Sequence, residues 1–313
     1  MNGNERENVS YLNFLDMVAE CVTAAYNGRV RTEKSTSEKN NGVFITGLLL
    51  KMEGDRVAPN FYLEEQYLDW KHRKKELYDI VSWLCRTYEE ERKKNHDLAE
   101  RIVMEWEEFQ KSVFVRLDNR QKNEEILKKL PYEEFMDLAV VYYFSIELAE
   151  GMYGTILLTM EHLKLLGITQ EELHETAMRN TRNHHQVKLC QMDELILTMG
   201  KRIGIPLHEL KKSLSEKQSD MYVLSNQTGM FGAAGMIYDE VLSEMAKKLG
   251  GSFYVLPSSI HELILVPGQE GLSPEKFADI VREVNATHVD ATEQLSDSVY
   301  YFDCEVGKLK RVG

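Results

Sequence analysis

Cysteine is scarce in this chain of 313 residues: Cys21, Cys85, Cys190 and Cys304 stand alone, at gaps of 64, 105 and 114 residues. The absence of any CxxC pair excludes a zinc knuckle and a thioredoxin-type redox motif, and it points to reduced thiols in a cytoplasm. Long apolar runs are lacking as well. The longest, residues 138–146, falls far short of the roughly 20 residues that a membrane helix needs. The first eight residues are polar, include Glu5 and Glu7, and lead into no apolar stretch, so no secretory signal is expected. Basic residues are in the minority, 38 Lys and Arg against 51 Asp and Glu, for a formal charge of −13. Neutralising phosphates takes clustered Lys and Arg, so neither nucleic acid nor an anionic membrane surface is an expected partner.

What is present is the balance of a globular protein, 43% hydrophobic and 28% charged. The acid is unevenly placed. Residues 1–130 hold 22 basic and 24 acidic side chains, and residues 131–313 hold 16 and 27. The second part therefore repels anions and attracts cations or basic partners, unless its charge serves solubility alone.

Two regions are expected: a mostly helical part over 1–130 with a possible hairpin, and an α+β domain over 131–313. Ser10 is placed to cap a helix carrying Leu12, Leu15, Val18 and Val22 at helical spacing. Residues 28–42 read as a polar loop, and 43–52 as a strand that 56–63 pairs back on across Gly54. Helical pattern resumes beyond Tyr67, supported by Glu89–Lys93 and Glu90–Lys94, and again over 97–111, ahead of a strand at 113–117. Past Pro131, strands are expected over 137–147 and 152–160 with a turn at Glu150-Gly151. Thr169 and Glu172 form a capping box, and 192–203 reads as a further helix. From Met221 the pattern is β-α-β-β-α-β: strand 221–225, helix 236–249 ended by Gly250, strands 252–256 and 260–266, a helix opened by Ser273-Pro274, and strand 299–303. That order predicts α+β, a mixed or antiparallel sheet with helices packed on it.

Two loops hold the candidate chemistry. The first runs from Asn226 through Gly229, Gly232 and Gly235, between a strand and a helix, where amides at a helix N-terminus cradle an anion. Its spacing is GxxGxxG, however, and no lysine follows to reach a phosphate. The same small residues serve close packing of backbone. The second is Ser258, Ser259, His261 and Glu262, a hydroxyl, an imidazole and a carboxylate in five residues. Neighbours on a strand face opposite ways, so His261 and Glu262 are poorly placed to share a site, and the serines equally suit turn hydrogen bonds. His184-His185 are adjacent and no HExxH exists, so no metal and no cofactor is expected. Met221, Met230, Met236 and Met245 fill core or offer a plastic surface. Arg116, a lone cation in an apolar strand, is expected to pair with a carboxylate.

Three segments together carry a resemblance: residues 131–142, then Val223-Leu224-Ser225-Asn226 leading into Gly232-Ala233-Ala234-Gly235, then residues 253–262 with the stretch Pro257-Ser258-Ser259-Ile260-His261-Glu262. Over roughly 40–303 the chain resembles a family of uncharacterised cytoplasmic proteins of anaerobic Gram-positive bacteria, a domain of unknown function. The resemblance implies a bacterial cytoplasmic protein and brings no activity or site residue with it. The expected function is a non-enzymatic module binding a small molecule or protein through both loops. The rival is a hydrolase or phosphate-ligand enzyme built on Ser258 or Ser259, His261 and a distant acid.

Overall fold

A computed structural model describes residues 6–55, 58–101, 106–149, 152–202, 208, 220–268 and 273–313. The chain divides into two compact units, Met1–Lys39 with Val43–Glu105, and Asn40–Gly42 with Trp106–Gly313.

In the first unit, helix α1 (Tyr11–Ala25) begins where the Ser10 hydroxyl accepts from the Asn13 N–H at 3.2 Å. It buries Phe14, Leu15, Val18 and Val22. Strand β1 (Val30–Glu38) pairs antiparallel with β2 (Phe44–Met52), from Val30↔Met52 to Glu38↔Phe44. The expected loop at 28–42 is thus mostly strand. Only Val30 of β1 is buried, so its sequence lacks the apolar alternation that marks a half-buried strand. The expected pairing of 56–63 reduces to β3 (Asn60–Phe61) on the far edge of β2, and Arg56 and Val57 lie outside the described residues. Helices α2 (Glu64–Lys71) and α3 (Leu77–Arg101) complete the unit. Trp70, Ile80, Leu84 and Tyr88 pack with the apolar face of α1, Leu48 and Leu50.

The second unit opens with α4 (Trp106–Phe109) and a 3-10 turn, Gln110–Ser112. Of the helix expected over 97–111, residues 97–101 lie in α3 and 106–109 in α4, 110–112 form the 3-10 turn, and 102–105 lie outside the described residues. A four-stranded antiparallel sheet follows: β4 (Val113–Asn119), β5 (Tyr132–Phe135), β6 (Leu138–Ala149) and β7 (Met152–Leu157). Strand β4 lies along one side of β6, and β5 and β7 share the other in succession. Strand β7 ends before Met160, which instead opens α6 (Met160–Leu166) behind a Thr159 cap. The expected turn at Glu150-Gly151 lies outside the described residues. Between β4 and β5 lies α5 (Glu124–Leu127), and α7 (Gln170–His184) starts at the Thr169–Glu172 capping box.

The larger sheet has six antiparallel strands in the order β13 (Lys308–Arg311), β12 (Tyr300–Asp303), β10 (Phe253–Pro257), β11 (Leu263–Pro267), β9 (Tyr222–Asn226), β8 (Val187–Gln191). Helices α8 (Met192–Arg202), α9 (Asp239–Leu249) and α10 (Pro274–Thr287) accompany it. Gly250 ends α9 in the left-handed conformation, φ +82°. Helix α9 starts later than expected, because residues Gly232–Ile237 form a 3-10 turn ahead of it. Antiparallel sheets flanked by helices make the fold α+β.

Candidate functional site

Strands β9 and β11 run antiparallel with Leu224 opposite Leu263, so the segment leaving β9 and the one entering β11 lie at the same end of the sheet. The first is knit by its own side chains. Asn226 Nδ2 donates to the Met230 carbonyl at 2.7 Å, and the Thr228 hydroxyl donates to Asn226 Oδ1 at 2.8 Å. Phe231 then takes φ +54°, an uncommon conformation for a bulky side chain. Gly232 has no room for anything larger: a Cβ there would lie 2.5 Å from Ser225 Oγ, 2.6 Å from the His261 carbonyl and 2.8 Å from the Asn226 nitrogen. The Ser225 hydroxyl donates to that carbonyl at 2.9 Å, tying the two segments together.

His261 makes the second tie. Its Nδ1 accepts from the Phe231 N–H at 3.1 Å, and its ring stacks on Phe231 with centroids 5.4 Å apart. An accepting Nδ1 leaves the hydrogen of the neutral ring on Nε2. Nε2 lies 3.6 Å from Glu293 Oε1, beyond hydrogen-bond distance. The two side chains are 29% and 49% exposed, so solvent reaches this pair. The backbone holds Glu293 there, its carbonyl accepting from the Ile260 N–H at 2.9 Å.

The serines are differently employed. Ser259 is buried, its Oγ accepts from the His261 N–H at 3.0 Å, and its own N–H donates to the Glu262 carbonyl. Ser258 is half-buried. Both imidazole nitrogens of His261 face other groups, and the carboxylate opposite them belongs to Glu293, not to Glu262. Asn226, Gly229 and Gly232 belong to the turn, and a Cβ on Gly235 would meet Val187 and Leu224 at ordinary contact distance.

Beneath the two segments lies a polar layer. Arg116 and Asp118, two apart on β4, share one face and pair at 2.9 Å, with side chains 15% and 2% exposed. The Arg116 guanidinium stands 5.3 Å from the Phe231 ring centre, and Tyr143 meets that ring edge-on. His185 stacks on Phe114 at 4.5 Å. Burial, then neighbouring His184, lowers the His185 pKa and favours the neutral ring. Among the described residues, four buried side-chain polar atoms find no protein partner, and three belong to this layer: Arg116 Nε, Asp118 Oδ1 and His185 Nδ1. Orphaned groups of this kind are few in folded proteins and mark places where water, an ion or a ligand belongs. A cavity of about 30 Å³ separates His185 from the glycine turn, lined also by Thr181, Asn226 and Tyr238.

Sequence reasoning placed Arg116 against a carboxylate and overlooked its partner Asp118, although an acid two residues along the same apolar strand is a legible sign. It also overlooked Phe231 and Glu293. Nothing local distinguishes Glu293, which reaches His261 only through the fold. Helix α9 carries Asp239 and Glu240 in its first turn, a charge that opposes an anion at that end. Among the described residues, no cluster of three or more His, Cys, Asp or Glu is arranged to hold a metal. No helix described is long and apolar enough to cross a membrane.

No curated protein and no solved structure matches the chain. A family model does match, across residues 11–304, which takes in both units and both loops. The chain belongs to the family of unknown function DUF5688.

Proposed function

We propose that the second unit is a non-enzymatic binding module whose ligand, a small molecule or a protein, is received at the rim formed by residues 226–235 and 258–262. One observation carries the reading. His261 is fixed from both sides, by the Phe231 N–H on Nδ1 and by the Ser225 hydroxyl on its carbonyl, while its Nε2 and the Glu293 carboxylate stay open to solvent. A pre-set donor beside an acceptor suits recognition, because little is lost in ordering it. The acidity of residues 131–313 favours a cationic or neutral ligand over an anion. The four free thiols and the family resemblance support a bacterial cytoplasmic setting.

A thermal-shift screen of nucleotides, phosphometabolites, divalent metals and peptides tests the reading on the wild type and on His261→Gln. At a hundred times its dissociation constant a ligand adds about 2.7 kcal/mol of stability, which is readily seen. The expected result is a stabilising ligand whose shift shrinks in His261→Gln. No ligand across the panel, or a shift untouched by the substitution, would count against this rim.

The enzyme reading draws on the same His261–Glu293 pair, an imidazole beside a carboxylate being the core of many acid–base dyads. Of its two serines, Ser259 is buried and engaged, which leaves the half-buried Ser258 as its hydroxyl. Turnover of ester or phosphoester substrates that disappears in both His261→Gln and Glu293→Gln would replace the binding reading with this one.

A further inference from the structure

We infer that the cavity between α7 and the glycine turn is a binding site for one internal water molecule, held by His185 Nδ1. Two independent observations meet here. The cavity is small, about 30 Å³, where roughly 10–15 Å³ is enough to hold a water. His185 lines it and has its Nδ1 buried without a protein partner. A buried imidazole nitrogen needs a donor if it bears no hydrogen and an acceptor if it bears one, and water supplies either. A buried water typically makes about three hydrogen bonds. Thr181, Asn226 and Tyr238 line the same space and are each at least nine-tenths buried. The Tyr238 hydroxyl donates to the Met178 carbonyl and retains lone pairs that accept from a water. Thr181 already accepts from the Val115 N–H, so it joins the floor of the site to β4.

A wholly apolar cavity would stay dry, but the largely apolar lining of this one includes His185, Thr181, Asn226 and Tyr238. The charged groups nearby, Arg182 and its partner Glu240 at 3.0 Å, are exposed, and neither reaches Nδ1. The water therefore bridges the C-terminus of α7, where His185 sits, to the inner face of the turn that begins at Asn226 and passes through Gly232. This site stands apart from the rim reading, because His185 lines the cavity and His261 does not.

A crystal structure of the wild-type protein at better than about 1.5 Å tests the inference directly. Solvent density at hydrogen-bond distance from His185 Nδ1, roughly 2.7–3.2 Å, is expected. A protein group on Nδ1, or a cavity without density, would overturn it. Oxygen-17 relaxation dispersion then counts long-lived internal waters in wild type and in His185→Phe, which keeps an aromatic ring against Phe114 and removes the ring nitrogen. The count is expected to fall by one, and an unchanged count would equally overturn the assignment.

Discussion

At Gly232 a single hydrogen atom decides whether two loops meet. The atoms that a Cβ would strike include a backbone carbonyl and a backbone nitrogen, which cannot swing aside as a long side chain does. Gly232→Ala is therefore expected to lower stability by about 1–3 kcal/mol, the usual range for overpacking. The measurement is the urea midpoint at unchanged slope. Gly229 offers the control. Open space surrounds it, and its φ of +70° makes alanine costly only through backbone strain, about 1–2 kcal/mol. The two alanine variants are thus expected to part on ligand response more than on stability: Gly232→Ala disturbs Ser225, Asn226 and His261 together, and Gly229→Ala leaves them in place. Equal and small effects of both would mean that the loops do not depend on the close approach. Phe231 is the complementary case, a large residue in a conformation that suits glycine, held there by His261, Arg116 and Tyr143 around its ring.

Among the secondary elements, Asp55 shows how a turn is secured to a helix. One of its oxygens accepts from the Tyr88 hydroxyl at 2.7 Å and the Met52 N–H at 2.9 Å, and the other accepts from Arg92 Nε at 2.8 Å. Burial pushes the Asp55 pKa up, but hydrogen bonds from Arg92, Met52 and Tyr88 outweigh it, and the carboxyl sits below its ordinary value. The unfolded chain then binds the proton more tightly. The stability that Asp55 supplies is present above its unfolded pKa of about 3.9 and is lost as pH falls through the lower folded value. In Asp55→Asn that stability is expected to be absent near neutral pH, with a flatter dependence of the urea midpoint between roughly pH 5 and 2. An identical pH profile in the two proteins would remove Asp55 from the account. Elements of this size were unevenly legible in the sequence. The Ser10 and Thr169 caps, Gly250 and Pro274 are local signals with a local mechanism, and they place α1, α7, α9 and α10 well. Strand β1 escaped because eight of its nine positions are not buried, so burial left no alternation to read. Strand β13, Lys-Leu-Lys-Arg, escaped for the same reason. The Gly-rich turn was legible as a turn, but the helix expected from Met236 starts only at Asp239, because the 3-10 turn Gly232–Ile237 takes its first two residues. Both loops were legible as loops from the strands beside them. Glu293 was not, since its approach to His261 follows from tertiary pairing alone.

Taken whole, the molecule carries −13 and yet finishes its larger sheet with a basic strand. β13 is outermost in the order, three of its four residues are exposed, and those three are Lys308, Lys310 and Arg311. Lys308 pairs with Asp239, and Lys310 lies 5.3 Å from the centre of the Tyr301 ring. Exposed pairs of this kind add little to folding stability. Their consequence lies between molecules. An outer strand offers unsatisfied backbone groups to any other strand, and two copies meeting edge to edge at β13 would bring six cations together without an intervening acid in the strand itself. The charge of β13 therefore opposes edge-to-edge pairing at this border of the sheet, whose other outer strand is β8. Lys308→Thr with Lys310→Thr keeps a good strand former at both positions and removes most of that repulsion. The double variant is expected to melt close to the wild type and to scatter light at lower protein concentration. Scattering that tracks the wild type across the concentration series would show that the charges of β13 do not govern association.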